Sequence, residues 1–282
     1  MSGHRKASSP VVLNTAFVYK PGEPIAHKEK NVLKTIFLGT NGWYDTATGN
    51  TISIYSRTPD YHLIFDAGYG LAKLDRYLNE KDGLPAFLFL SHFHLDHVAG
   101  LHTLAKLPLP GGLTICGPTG SRDILHVLVN QPFTLPLAGL PYPVQILELP
   151  EEASLLPFHV QARPLRHASL TLGYRIEMAG KVMTYCADTG YCENAVVLSQ
   201  GADLLIAECA YASGQDSEEW PHLNPETAAR IAREAKARRL VLIHFDAQQY
   251  PTLAERELAV TAARRIFPDT IAARDDMEIH IP

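Results

Sequence analysis

Apolar runs of strand length, rich in β-branched and aromatic residues, recur along the whole chain. In order they are VVLNTAFV, VLKTIFL, ISIYS, YHLIFDAG, AFLFLSH, LTICGP, VQILEL, FHVQARPL, LGYRIEM, VMTYCAD, DLLIAECA and LVLIHF. Between several of them, apolar residues recur with helical spacing. These helical patterns are Leu71–Leu78, His97–Leu107, Ser121–Val129, Pro225–Ala237 and Leu253–Ile266. The mixture predicts an α/β fold.

One neighbouring pair of runs has the form of a hairpin. The segment LGYRIEMAGKVMTYCAD places Gly180 between two strand-length halves, as expected for a tight turn. Hairpins pair their strands antiparallel, which argues against a purely parallel, doubly wound sheet. We therefore expect two mixed β-sheets flanked by helices.

The length of 282 residues suits one large domain, and no shift in composition marks a second one. A polar, proline-containing stretch ends at residue 31 and separates VVLNTAFV from the later runs. We expect residues 1–31 to form an N-terminal extension, with VVLNTAFV as an added edge strand or the extension as an interface. Residues 32–282 would then form the main domain.

Composition and charge narrow the class of protein. Hydrophobic residues make up 46% of the chain and charged residues 20%, so a sizeable core is available. The net charge of -5 weakens general attraction to a polyanion, because such binding depends on Lys and Arg. No apolar run approaches the roughly 20 residues that span a bilayer. The four scattered cysteines suggest reduced thiols, and we expect a soluble cytoplasmic protein without a membrane partner.

The segment SHFHLDHVAG carries the strongest chemical signal. It follows the strand run AFLFL and precedes a helical pattern, so it forms a loop at the carboxyl end of a strand. His92, His94, Asp96 and His97 offer four potential ligands within six positions. Imidazole suits zinc, iron or nickel, and a carboxylate extends the choice to manganese. The loop therefore predicts a metal site.

This loop resembles the His-x-His-x-Asp-His motif of the metallo-β-lactamase superfamily, whose fold is an αββα four-layer sandwich. In that fold, further ligands come from later strand ends. Three residues stand in such places: His167 after VQARPLR, Asp188 after VMTYCA, and His244 after LVLI. The resemblance implies two divalent ions, with zinc favoured and manganese or iron as alternatives. It assigns one ion to His92, His94 and His167, the other to Asp96, His97 and His244, with Asp188 as the bridge.

Paired ions of this kind share a water, lower its pKa and present a bridging hydroxide as the nucleophile. Asp96 would orient that hydroxide by accepting a hydrogen bond from it. Neither role requires a nucleophilic side chain. The sequence thus predicts a hydrolase with a dinuclear centre.

Within the superfamily, residues 32–246 are most similar to the ribonuclease Z-like branch, through LGTNGWYDTATGNTISI, IFDAGYG, HASLTLGYRIE, YCADTG and HLNPETAARIA. The resemblance makes His222 the general acid that protonates the leaving oxygen. A helix-entry role is the alternative, because Asn224 and Pro225 suit a helix start. Glu208 either orients His222 or is an ordinary acidic strand end.

Two further features of this branch have counterparts in the sequence. Asp66 in IFDAG resembles an Asp that braces the metal loop by hydrogen bonds. The Gly39–Gly42 turn is expected near the substrate, although a tight turn requires glycine in any case.

The chain departs from the tRNA-processing members of that branch in one interval. Those members carry a long flexible arm between the positions of His167 and Asp188, where this chain has only 20 intervening residues. Structured RNA is therefore not the expected substrate. We expect a small anionic ester, most simply a small phosphodiester or cyclic nucleotide. A lactone, thioester, sulfate ester or β-lactam is the alternative, and a homodimer remains open.

Two other classes fit less well. Diiron oxidoreductases of this fold usually place a carboxylate at the position of His94 and add a flavin domain. Noncatalytic members usually lose ligands, whereas all seven positions are filled here.

Overall fold

A computed structural model describes residues 33–281 of the chain. The predicted extension over residues 1–31 lies outside the described residues. In the described part, no helix is long and apolar enough to cross a membrane.

The described region contains fifteen β-strands. They are β1 (Leu33–Gly39), β2 (Asn41–Gly42), β3 (Ser53–Arg57), β4 (His62–Phe65), β5 (Ala86–Phe89), β6 (Leu113–Pro118), β7 (Val144–Leu149), β8 (His159–Pro164), β9 (Leu172–Met178), β10 (Lys181–Cys186), β11 (Leu204–Glu208), β12 (Leu240–Ile243), β13 (Phe245–Asp246), β14 (Thr270–Ala272) and β15 (Met277–Ile281).

Helices lie between many of these strands. The α-helices of the described region are α1 (Leu95–Val98), α2 (Ser121–Leu128), α3 (Glu193–Leu198), α4 (Pro225–Glu234) and α5 (Leu253–Arg264). Shorter 3-10 helices cover Tyr69–Arg76, Ala99–Lys106, Leu137–Gly139 and Ala153–Leu155.

The strands form two large mixed sheets and one small ladder. The first sheet has the order β15-β1-β3-β4-β5-β6-β7, antiparallel from β15 to β4 and parallel from β4 to β7. The second has the order β14-β12-β11-β10-β9-β8, parallel from β14 to β10 and antiparallel from β10 to β8. The β9–β10 hairpin turns at Gly180, whose φ of 75° suits glycine. The predicted pair of mixed sheets is confirmed.

The core lies in three layers of side chains. The inner faces of the two sheets meet in one cluster, in which Phe65 and Phe89 of the first sheet pack with Tyr185 and Ile206 of the second. The outer face of the first sheet packs under α2 and the 3-10 helices, and the outer face of the second packs under α3, α4 and α5. Both faces of the central strands are buried, so their sequences are mostly apolar rather than alternating, with His62 at the start of β4 and Glu208 at the end of β11 as exceptions. This arrangement is the αββα sandwich.

The carboxyl ends of the parallel strands point to one edge of this sandwich. Asp66 follows β4, His92 follows β5, Asp188 follows β10 and His244 follows β12, while Glu208 ends β11. Because the two sheets bring these ends to the same edge, residues that are distant in sequence meet there.

Candidate metal centre

The loop between β5 and α1 folds back on itself. Leu90 closes the strand by donating its N–H to Cys116 O (2.7 Å), and His97 donates its N–H to His94 O (2.9 Å). This turn places the side chains of His92 and His97, both fully buried, on the same side as His94 and Asp96. The curled backbone thereby brings the four predicted ligands to one point.

The predicted ligands form two groups around this loop. His92, His94, His167 and Asp188 have ligand atoms within 4.8 Å of one another. The same holds for a second group, Asp96, His97 and His244. All seven residues therefore lie together, and a third such group joins Asp188 and His244 to His222.

Asp188 lies between the two groups, with one oxygen toward each. Its Oδ2 is 3.8 Å from both His92 Nε2 and His167 Nε2. Its Oδ1 is 3.2 Å from both His97 Nε2 and His244 Nε2. A carboxylate in this position can contact a cation in either group.

The donor atoms fit divalent cations. His92 Nε2 and Asp188 Oδ1 are buried and have no hydrogen-bond partner among the described residues, which is costly unless another ligand satisfies them. His97 Nε2 and His244 Nε2 are 3.0 Å apart, so two ring nitrogens face the same point. Imidazole nitrogen and carboxylate oxygen together suit zinc, manganese or iron.

Electrostatics in the cluster follow from burial and mutual charge. Burial lowers the pKa of His92 well below its usual value. Burial also acts to lower the pKa of His97, but the carboxylates of Asp188, Asp96 and Asp66 outweigh it and raise that pKa well above its usual value. The carboxylates thus create a strongly cation-attracting pocket.

Asp66 stabilises the metal loop through hydrogen bonds. Its Oδ1 accepts the Ser91 N–H (2.7 Å), and its Oδ2 accepts the Ser91 hydroxyl (2.8 Å), the Tyr185 hydroxyl (2.5 Å) and His97 Nδ1–H (2.8 Å). Since Nδ1 of His97 is engaged in this way, its Nε2 is directed at the cluster. This is the bracing position that the sequence predicted.

His222 is buried beside the cluster. Its Nδ1–H donates to Glu208 Oε1 at 2.6 Å, and its ring centroid is 5.1 Å from that of His167. Glu208 is fixed in turn by the N–H groups of Thr189 (2.7 Å) and Ala210 (2.9 Å). Burial acts to lower the pKa of His222, but the Glu208 carboxylate outweighs burial and raises it to about 9.

His222 also stands just before a helix, as its alternative role required. Asn224 caps α4 by accepting the Thr227 N–H (2.9 Å), and Pro225 occupies the first helical position. The cap does not compete with the bond from His222 to Glu208, because the cap bonds involve Asn224 and Thr227 only.

The turn after β1 passes directly over the cluster. A Cβ on Gly42 would lie 2.5 Å from His244 Cε1, so only glycine fits there. The next residue, Trp43, donates its backbone N–H to Asp96 Oδ2 at 2.7 Å. Sequence reasoning missed this contact, because a backbone donor leaves no residue-type signal.

A cavity of about 340 Å³ opens beside His94. It is lined by Phe93, His94, Pro118, Thr119, Ile124, Ser169 and Leu170. A volume of this order suits a small organic group.

Comparison with known proteins agrees with this geometry. The family model described as "Beta-lactamase superfamily domain" matches residues 61–245. The chain is similar to Ribonuclease Z from Crocosphaera subtropica, at 28% identity over 89% of this chain and 98% of the relative. It is equally similar to Ribonuclease Z from Bacillus licheniformis, at 28% identity over 88% of this chain and 99% of the relative.

Solved structures show the same architecture. The short form of human tRNase Z is 25% identical, with a TM-score of 0.67 over 88% of this chain and 99% of that one. The metallo-beta-lactamase fold protein YhfI from Bacillus subtilis has a TM-score of 0.73 at 24% identity, covering 89% of this chain and 100% of that one. The second likeness concerns the fold alone.

Proposed function

The chain belongs to the beta-lactamase superfamily, and on that basis we propose that this metallohydrolase is a dinuclear phosphodiesterase for a small phosphodiester or cyclic nucleotide. The observation that supports two metals is the position of Asp188, whose two oxygens face two separate groups of histidines. The observation that supports a phosphodiester is the Glu208–His222 pair beside them.

In this proposal, His92, His94 and His167 hold one cation, Asp96, His97 and His244 hold the other, and Asp188 contacts both. When bound, paired divalent cations lower the pKa of water and stabilise negative charge on the attacked group. Asp96 orients the attacking water, while the Trp43 N–H keeps Asp96 Oδ2 in place.

His222 supplies the proton for the leaving oxygen. The bond from Nδ1–H to Glu208 fixes the ring and leaves Nε2 as the nitrogen that donates to the substrate. The Glu208 carboxylate favours the protonated form of the His222 ring, as a general acid requires. An alkoxide leaving group requires protonation, so this acid favours diesters of ordinary alcohols.

An RNA substrate is the second candidate, because the curated relatives are named Ribonuclease Z. Two features favour the small substrate. The interval between His167 and Asp188 holds only the short β9–β10 hairpin. The net charge of -5 also disfavours a long polyanion.

Metal-stripped and metal-reconstituted protein test the proposal. We expect zinc, manganese or iron to restore turnover of bis(p-nitrophenyl) phosphate and of cyclic nucleotides, and Asp188→Ala to abolish it. His102→Asn is the matched control, since His102 is exposed and lies outside the cluster. Cleavage of precursor tRNA without small-diester turnover would favour the RNA candidate. Bound metal with turnover of only lactones, thioesters, aryl sulfates or β-lactams would contradict both.

A further inference from the structure

The chain has only two tryptophans, and both lie at the metal centre. The Trp220 ring contacts His94 and His167 of one predicted ligand group, and the backbone N–H of Trp43 donates to Asp96 of the other. Their exposed fractions are 50% and 59%. The Trp220 ring thus packs against one half of the centre, whereas Trp43 contacts the other half through its backbone; both rings remain open to solvent.

Trp220 is held firmly over the first group. Its ring is parallel to that of His94, with an interplanar angle of 9° and a centroid distance of 5.4 Å, and it meets His167 edge-on at 5.5 Å. Its backbone is tied down by bonds from Trp220 N–H to Ser217 Oγ (3.1 Å) and from the Tyr211 hydroxyl to Trp220 O (2.5 Å). The exposed part of the ring is therefore a fixed aromatic surface.

Trp43 adopts a backbone conformation that bulky residues avoid. Its φ is 71°, a value at which a large side chain costs on the order of 1–3 kcal/mol. The bond to Asp96 holds the backbone in place, and the Tyr44 ring braces the side chain edge-on at 5.2 Å. Because the ring is mostly exposed, burial recovers little of this cost. Strain of this kind is typical of binding surfaces.

The charges nearby restrict what can approach these rings. Asp216, Glu218 and Glu219 are exposed in the segment that leads to Trp220. They repel a long polyanion, whereas a single phosphodiester is attracted by cations bound in the centre. The cavity beside His94 adds apolar room for an organic group.

Building on the proposed phosphodiesterase function, we infer that Trp43 and Trp220 form a stacking site for a planar ring, so that the substrate is a diester of a nucleoside or of another planar aromatic alcohol. Tryptophan stacks on every base, because each base presents a π-face. The rings therefore select for planarity rather than for base identity.

Intrinsic fluorescence tests the stacking independently of turnover, because both emitters lie at the site. Zinc-loaded protein is titrated with a nucleoside monophosphate and, in parallel, with ribose 5-phosphate, which carries the phosphate without the ring. We expect the nucleotide to quench the emission and the sugar phosphate to leave it unchanged. Trp43→Phe and Trp220→Phe show whether both rings respond. Equal quenching by the two compounds, or none by either, would overturn the inference.

Kinetics give a second measure through substrate selectivity. Adenosine 3′,5′-cyclic phosphate and its abasic analogue, methyl riboside 3′,5′-cyclic phosphate, share one leaving oxygen and differ in the planar base. We expect the ratio of their kcat/KM values to fall about tenfold in Trp43→Leu and in Trp220→Leu, and to recover partly with Phe at either position. Leu258→Ala, which removes an exposed apolar side chain from α5, is the control and keeps the ratio.

The outcomes separate this inference from the function on which it rests. If zinc-loaded wild type hydrolyses neither diester, the phosphodiesterase proposal fails, and the quenching result still decides the stacking site. If both substrates lose activity equally in the Leu variants, the tryptophans only position Asp96 and His94, and the inference is wrong.

Discussion

Asp66 touches no predicted substrate position, yet it bonds to three residues that shape the metal loop. In Asp66→Asn, an amide NH2 group replaces one carboxylate oxygen. This group cannot accept the hydrogen bonds that His97 Nδ1–H and the Tyr185 hydroxyl donate to Asp66 Oδ2. We expect metal affinity to fall about 10–100-fold. Competition with a chromogenic chelator measures this. Asp269→Asn, at an exposed ion pair with Arg239, serves as the control. Unchanged affinity would contradict the bracing role.

His222 is expected to matter in proportion to the basicity of the leaving group. An alkoxide requires protonation, whereas p-nitrophenolate leaves readily without it. In His222→Ala we therefore expect a loss of roughly 100-fold to 10,000-fold in kcat for an alkyl or nucleoside leaving group, and a much smaller loss for p-nitrophenolate. Glu208→Gln should show the same trend more weakly. A loss that is equal for all leaving groups would instead indicate misplacement of the neighbouring ligands.

Site residues could be predicted from the sequence where they lie close together along the chain. His92 to His97 were found because four ligands crowd into one loop, and their bound metal stays a prediction. The Glu208–His222 contact could not be decided, because a strand end and a loop must fold together to form it. Trp43 was missed because its contribution combines a backbone N–H with a left-handed conformation.

At the scale of elements, α5 supports the turn over the metal centre through Arg256. This side chain is almost fully buried, donates to Thr40 Oγ1 (2.9 Å) and Asn41 Oδ1, and lies 4.6 Å from the Phe245 ring centre. Burial lowers its pKa to about 10, which still leaves it charged at neutral pH.

Replacing Arg256 by Met should loosen this turn. The substitution removes the charged donor to Asn41 Oδ1 and Thr40 Oγ1, which keep only their bonds with Thr48 and Asp275, so we expect the free energy of unfolding to fall by about 2–3 kcal/mol. Denaturant unfolding measures the change. Arg233→Met, at an exposed position on α4, should stay within about 0.5 kcal/mol of wild type. A similar small change in both variants would show that the buried network contributes little.

Elements were predictable where an apolar run of strand length marks them in the sequence itself. The runs LTICGP, VQILEL and LGYRIEM coincide with β6, β7 and β9, whereas α3, β14 and β15 were not predicted. The helix expected over His97–Leu107 becomes one α-helical turn followed by a 3-10 helix. There Gly100 donates its N–H to Ala67 O (2.7 Å), so a tertiary bond replaces the helical one.

At the scale of the whole molecule, stability should depend on pH through a histidine far from the metal centre. His62 is buried on β4, where its Nδ1 lies 2.8 Å from the Tyr55 hydroxyl and its Nε2 lies 3.8 Å from Asp82. Burial lowers its pKa to about 4 from a usual value of 6.5, despite the opposing charge of Asp82.

The sign of this effect follows from proton binding. Between about pH 6.5 and pH 4 the unfolded chain binds the His62 proton and the folded chain does not. The contribution of His62 to the free energy of unfolding is therefore fully present above that range. It is lost as the pH drops through the range, and the loss is roughly 3 kcal/mol. When the free energy of unfolding is measured in urea at several pH values, His62→Gln should lose this part of its dependence on pH. Parallel slopes for both proteins would contradict the assignment.

The αββα layer order was implied by the resemblance to the metallo-β-lactamase superfamily, whereas the strand and helix patterns alone predicted two mixed sheets flanked by helices. The order of strands within each sheet was not predictable, since pairing is a long-range property. The boundary at residue 32 stays a prediction.

The pairing of Leu33 with Ile281 has a practical consequence. Antiparallel neighbours lie about 5 Å apart, so the described fold starts and finishes at one spot on a sheet edge. A linker of a few residues could join those ends, and the chain could be reopened at a surface turn such as the one at Gly180, which lies away from the metal centre. Equally, the fold could be inserted as a guest into a loop of another protein without its two attachment points being pulled apart.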